Sequence, residues 1–225
     1  MLDGEADLGA TSVAVTENVW AAPVALDAIA LVVHPDNPLE NLTLAQVHDV
    51  FGGQVWRWRD LGIDLPEDEI TVVSREGGSG TRMAFEVLVM AHGQGLLDCQ
   101  PVLAVDRGSE GSSAVRVEGC EGTPVTPTAI VAPSSASVVD YVRAHPSAIG
   151  YVSRGYAGSG VRVVPVEGLS PAPENIHDGG YHLAEPFYLV ARKEPTGAAR
   201  QFVDFCLSPE GQRIVATGYV PVREP

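Results

Sequence analysis

Residues 74–82 read SREGGSGTR: two arginines, three glycines, two serines and a threonine within nine positions. The run before it, Ile70-Thr71-Val72-Val73, is apolar and β-branched. After it, Met83, Phe85, Val87 and Leu88 supply the apolar positions of a helix starting near Thr81. A strand, a glycine loop and a helix start together make an anion site. The first N–H groups of a helix have no acceptor within it, and the helix dipole puts positive charge there. Gly77, Gly78 and Gly80 let the backbone approach a ligand closely. Ser79 and Thr81 add hydroxyl donors, and Arg75 adds a planar fork suited to two oxygens of one oxyanion. The chemistry this predicts is non-covalent capture of a tetrahedral anion. A plain Gly-Ser-Gly turn is the bland alternative. Catalysis is not expected: no Gly-Lys-Ser/Thr follows the loop, Thr81 stands where a G-x-S-x-G elbow needs glycine, and no histidine or aspartate is placed as a base. A serine hydrolase is therefore a weak rival.

Such a loop needs a scaffold, and the chain alternates β-type runs with helical patterns. Strands are expected at 28–33, 70–73, 128–132, 148–152, 161–166 and 187–191, with a short candidate at 114–117 in an otherwise loop-rich stretch, 96–128. Thr43-Leu44-Ala45-Gln46 forms a capping box that opens a helix ended by Gly52-Gly53. Further helices are expected over 135–144, 195–207 and 209–217, the last with Ser208 as its N-cap and Pro209 in its first turn. This alternation predicts an α/β protein with mostly parallel sheets.

The chain has 225 residues, 45% of them hydrophobic, enough to bury a real core. Asp and Glu outnumber Lys and Arg by 29 to 14, for a formal net charge of −15. With no basic stripe, nucleic acid is not an expected partner. A net-negative chain still binds a small anion, because local dipoles and placed cations decide that. No apolar run approaches the roughly 18–20 residues that span a bilayer. The opening Met1-Leu2-Asp3-Gly4-Glu5 is acidic where a signal peptide starts basic. Cys99 and Cys120 flank a polar stretch and are equally readable as a disulfide or as two thiols. Cys206 reads as a small core residue. His177 and His182 read as turn residues, so no metal site is expected. Trp56 and Trp58, on either side of Arg57, read as packing rather than as base-stacking platforms.

SREGGSGTR resembles the phosphate-binding loop of the PstS-like substrate-binding proteins of ABC phosphate importers. The likeness extends along nearly the whole chain, in family order. It takes in "GEADLGATS", "ALDAIALVVHPDNPLENLTLAQVHDVFGG", "WRDLG", "AIGYVSRGYA", "PENIHDGGYHLAEPFYLV" and "FVDFCLSPEGQRIVATGYVPV". The resemblance implies a two-lobed periplasmic-binding-protein type II fold with the anion in the cleft. Lobe one would comprise residues 1–33 and 157–225, and lobe two residues 34–156. The implied function is binding of inorganic phosphate and delivery to an ABC permease, with no enzymatic activity and no cofactor. The implied location is periplasmic or extracellular. By the same likeness Arg75, Ser79, Gly80 and Thr81 are phosphate ligands of the second lobe, and Thr11 and Ser12 of the first. Thr11 and Ser12 are equally readable as the cap of a helix over 13–19.

Two departures from the family pattern stand out. The family opens with a strand, a ligand-bearing loop and a helix, preceded by an export signal, and none of these stands before "LDGEADLGATS". The expectation is an incomplete first lobe, a weakened site, a tendency to associate, and membrane anchoring, if any, through the missing N-terminus. Some relatives carry a carboxylate at the position of Ser12. A carboxylate accepts the proton of phosphate and so rejects sulfate, whereas a hydroxyl both accepts and donates. Glu76 is expected to orient Arg75 or face solvent. A receptor for another tetrahedral oxyanion, or a binding-incompetent scaffold module, are the alternative readings.

Overall fold

The computed structural model describes residues 6–12, 19–91, 102–107, 113–118, 124–158 and 160–224. In chain order the elements are β1 (Gly9–Thr11), β2 (Trp20–Val33), α1 (Leu44–Phe51), β3 (Thr71–Arg75), α2 (Gly80–Phe85), β4 (Val102–Arg107), β5 (Ser113–Glu118) and β6 (Ile130–Ala132). They continue with α3 (Ser135–Ala144), β7 (Ala148–Ser153), β8 (Arg162–Val164), α4 (Pro173–His177), β9 (Ala184–Ala191), α5 (Gly197–Cys206), α6 (Pro209–Val215) and β10 (Val220–Pro221). The chain divides into two compact units: Met1–Asp27 with Leu96–Glu121 and Glu185–Pro225, and Ala28–Gly95 with Gly122–Ala184.

The second unit is built on the strand order β8-β2-β7-β3-β6. Its centre, β7, buries all six residues, as a strand covered on both faces does. On one face α3 sets Val138, Val139 and Val142 against Val73, Ala148 and Val152. That approach is close: a Cβ on Gly150 would stand 2.6 Å from Val138 Cγ1, so a larger residue there must displace the helix. On the other face Phe51, Phe85 and Tyr151 form an aromatic cluster, with Phe85 and Tyr151 stacked at 4.0 Å. The helix over Leu44–Phe51 carries both bonds of its capping box, Gln46 N–H to Thr43 Oγ1 at 3.1 Å and Thr43 N–H to Gln46 Oε1 at 2.8 Å. Trp58 is buried and donates Nε1–H to Ser147 O at 3.0 Å. Trp56 is exposed, and the Arg57 guanidinium lies 4.5 Å from its ring centre.

In the first unit the strand order is β1-β9-β2-β10, with β1 and β10 antiparallel to their neighbours; β4 and β5 pair as an antiparallel hairpin. Ala22, Val24, Leu189 and Val203 make its apolar cluster, with half-buried Cys206 packed against it. Gln212 on α6 is fully buried and fully used. It donates to Val24 O at 3.0 Å and Cys206 O at 2.7 Å, and accepts from Val222 N at 2.8 Å. One side chain thus ties β2, α5 and the segment that follows β10 together.

One expectation needs correction. The sheets are mixed: β6-β3-β7 runs parallel, whereas β1–β9, β2–β10, β2–β7, β2–β8 and β4–β5 pair antiparallel. Parallel pairing needs a crossover of about a dozen residues, which α2 and α3 help supply around β3. The two units are drawn at other positions than the lobes 1–33 plus 157–225 and 34–156 that the resemblance implies. Residues 29–33 pair with β7 and β8, which holds the C-terminal part of β2 and the stretch from β8 to α4 in the second unit. Residues 96–121 belong instead to the first unit. Cys99, Cys120 and residues 13–18, the body of the alternative helix after Ser12, lie outside the described residues. Among the described residues, no helix is long and apolar enough to cross a membrane.

Candidate anion-binding site

Strand β3 delivers Arg75 to its C-terminal end, and the chain turns through Glu76–Ser79 into α2. Ser79 N–H donates to Glu76 O at 3.3 Å, and Gly78 takes a left-handed φ of +87° that favours glycine. Ser79 is the N-cap: its Oγ accepts from Arg82 N–H at 3.3 Å. A Cβ added at Gly77 or Gly80 would meet nothing within 4 Å, so packing does not demand glycine there. The loop faces open space, as one that admits a ligand to its backbone must.

Arg82 is turned inward. Its Nη1 donates to Arg75 O at 2.9 Å and its Nε to Glu86 Oε1 at 2.8 Å, clamping α2 to the end of β3. Arg75 is buried at 9% exposure, yet its fork is not free. Nε and Nη2 donate to the two oxygens of Glu76 at 3.0 and 2.9 Å, and Nη1 donates to Ser135 Oγ at 2.9 Å. Among the described residues, these bonds take three of the five guanidinium N–H groups and leave two. The Arg75 hydrogen bonds hold the Glu76 carboxyl below its ordinary range, so the pair stays ionised.

Two further side chains complete the arrangement, and sequence reasoning missed both. Ser135 opens α3, and Glu76 N–H donates to Ala132 O at 3.2 Å. The starts of α2 and α3 therefore lie side by side beyond the ends of parallel strands β3 and β6, where open α/β sheets place ligands. Ser134-Ser135 ahead of an apolar helix pattern was the available signal. Tyr151 OH lies 2.9 Å from Ser74 Oγ and accepts from Arg75 N–H at 3.4 Å. Burial pushes its phenol upward, so it works as a neutral hydrogen-bonding post.

The structure thus gathers Arg75, Ser79, Gly80 and Thr81 in the second unit. Thr11 and Ser12 stand in the first unit, at the end of β1. There Ser12 hydrogen-bonds the carboxylate of Glu185 on β9, another residue that sequence reasoning passed over. Neither Arg154 nor Arg162 belongs to the loop: Arg154 Nε donates to Pro171 O at 2.8 Å, and Arg162 Nη2 donates to Asn37 O.

A family model described as a PBP superfamily domain matches residues 1–210. The phosphate-binding protein PstS 2 of Streptococcus agalactiae is 31% identical over 68% of this chain and 46% of its own length. The phosphate-binding protein PstS of Pseudomonas aeruginosa is 29% identical over 90% of this chain and 60% of its own. The chain spans about half the length of the curated relatives it matches. Among solved structures, a putative phosphate ABC transporter substrate-binding protein with bound phosphate from Clostridium perfringens superposes with a TM-score of 0.75 at 30% identity, covering 99% of this chain and 82% of that one. An ABC-type phosphate transport receptor from Vibrio cholerae gives 0.74 at 26% identity, covering 97% and 81%. The expected periplasmic-binding-protein-like α/β fold is borne out, and the chain belongs to the PBP superfamily, its likeness there being to PstS-type phosphate-binding proteins.

Proposed function

We propose that this chain binds inorganic phosphate as the substrate-binding component of an ABC importer, outside the cytoplasmic membrane, and performs no covalent chemistry. Arg75, Ser79, Gly80 and Thr81 of the second unit are its ligands. One observation carries this reading above the others: Arg75 is buried and fixed by Glu76 and Ser135 through three of its five N–H groups. An arginine with all five N–H groups committed would have none to offer an anion. This one is held in place with donors to spare, as a preorganised anion ligand is. The permease partner and the extracytoplasmic location follow from the likeness to phosphate transport receptors.

The experiment is isothermal calorimetry with phosphate and with sulfate. Phosphate binding that Arg75→Ala abolishes, in a variant that still melts cooperatively, supports the reading. Equal binding of both ions would support the wider class of tetrahedral oxyanions. Unchanged affinity in Arg75→Ala would remove the site from this loop.

A further inference from the structure

Arg75 Nη1 and Ser135 Oγ stand 2.9 Å apart, and only one direction of donation is open to them. A guanidinium has no acceptor, so Arg75 gives the proton and the Ser135 oxygen takes it. The Ser135 hydroxyl keeps a proton of its own. Among the described residues that proton meets no acceptor. The flanking serines differ: Ser134 Oγ and Ser137 Oγ lie 2.9 Å apart, and Ser134 Oγ also accepts from Ser137 N–H at 3.0 Å. The nearby carboxylate of Glu76 already receives Arg75 Nε and Nη2 on its two oxygens. Ser135 is only 6% exposed, and a donor left over at that depth calls for a partner.

The surroundings say which kind of partner fits. Accepting from a cation turns the Ser135 proton away from Arg75 and polarises the O–H into a stronger donor. Ser135 is also the first residue of α3, a ten-residue helix. The N–H groups of Ser135 and Ala136 lie ahead of its first internal bond, Val138 N–H to Ser134 O at 3.1 Å. A guanidinium, a hydroxyl proton and a helix start thus meet at one place, and a negative oxygen complements all three.

We infer that Ser135 is a further ligand of the oxyanion, contributed by α3: its oxygen accepts from Arg75 and its own proton goes to an anion oxygen. The inference rests on the reading of Arg75 as an anion ligand. Two acceptors on one guanidinium nitrogen stand roughly 5 Å apart. A tetrahedral anion closes that gap by presenting one oxygen to Arg75 and another to Ser135. The starts of α2 and α3 then hold one ion between them.

The test has two parts. The first is a crystal structure of the unmodified chain with phosphate. Ser135 Oγ is expected within about 3 Å of a phosphate oxygen, with its bond to Arg75 kept. An Oγ more than about 3.5 Å from every phosphate oxygen overturns the inference, and Ser135 then only holds Arg75 in place. The second is calorimetry with phosphate. Ser135→Ala should lose about tenfold or more in affinity, as for a hydrogen bond to a charged group. Ser135→Thr keeps the hydroxyl and should retain most of the affinity. If Ser135→Ala binds phosphate as tightly as the unmodified chain, the inference fails while the phosphate reading stands. Equal losses in the two variants also overturn it, because the loss would not follow the hydroxyl. Where a variant does not fold, the structure of the unmodified chain decides alone. If that chain binds no phosphate, the phosphate reading fails and the inference falls with it.

Discussion

Arg75 and Glu76, adjacent in the chain, close on each other as a two-bond fork, Nε to Oε2 at 3.0 Å and Nη2 to Oε1 at 2.9 Å. A planar guanidinium makes this pair while its Nη1 holds Ser135, and a lysine ammonium cannot match that geometry. Arg75→Lys should therefore keep the charge yet lose at least about tenfold in phosphate affinity, the cost of one charge-assisted hydrogen bond. Calorimetry checks it; near-native affinity would mean that only the charge matters. The Arg75 hydrogen bonds also lower the Glu76 pKa, which gives this pair a pH dependence. Its contribution is present above the ordinary value of 4.5 and is lost as the pH falls through the lowered value.

Tyr151 supports the loop from beneath. Tyr151→Phe keeps the stack on Phe85 but leaves the buried Ser74 hydroxyl without its 2.9 Å partner. The expected cost is about 1–2 kcal/mol of stability. It should appear as a lower urea midpoint at an unchanged slope. No change in midpoint would mean that Ser74 finds another partner.

Ser79 has two duties that separate experimentally. As N-cap it accepts from Arg82 N–H, so Ser79→Ala should cost about 1 kcal/mol of stability. As a ligand it should cost a further 1–3 kcal/mol or so of binding free energy. Unfolding without ligand measures the first and calorimetry the second. Loss of stability with no loss of affinity would reduce Ser79 to a cap.

Glu185 gives a pH dependence of known sign. Burial is the largest cause of its rise to about 7 from the ordinary 4.5, with Asp27 adding to it and the Ser12 hydrogen bond opposing it. The folded chain therefore holds a proton between those values that the unfolded chain has released. Stability from this group falls as the pH rises through that window and stays lower above it. Glu185→Gln does not titrate, so the variant should gain on the unmodified chain from about pH 4.5 to pH 7. Parallel melting curves across that range would contradict the assignment.

Much of this was legible because the signals were local. Thr43 and Gln46 sit three residues apart, and the capping box they predict is present. Ser135–Ala144 carries an uninterrupted helical pattern, and its bounds agree with expectation. Strand β2 begins at Trp20, earlier than the apolar run at 28–33 suggests, because its first half is only partly buried and carries Pro23 and Asp27. Val102–Arg107 went unrecognised as a strand since short runs in a polar stretch have no clear period. The site split the same way. Arg75, Ser79, Gly80 and Thr81 share one nine-residue stretch and were read together. Ser135 reaches Arg75 across sixty positions, and Glu185 meets Ser12 only through the pairing of β1 with β9. Sheet register and parallel strand ends bring such residues together, and neither is written in spacing along the chain.

The most direct test of the central claim is thermal unfolding with phosphate and with sulfate at matched ionic strength. Ligand at 100 times its dissociation constant adds about 2.7 kcal/mol to the native state, or roughly 5–10 °C for a chain of this size. The account predicts a rise with phosphate that Arg75→Ala removes. A cooperative transition unmoved by phosphate at any concentration would contradict it.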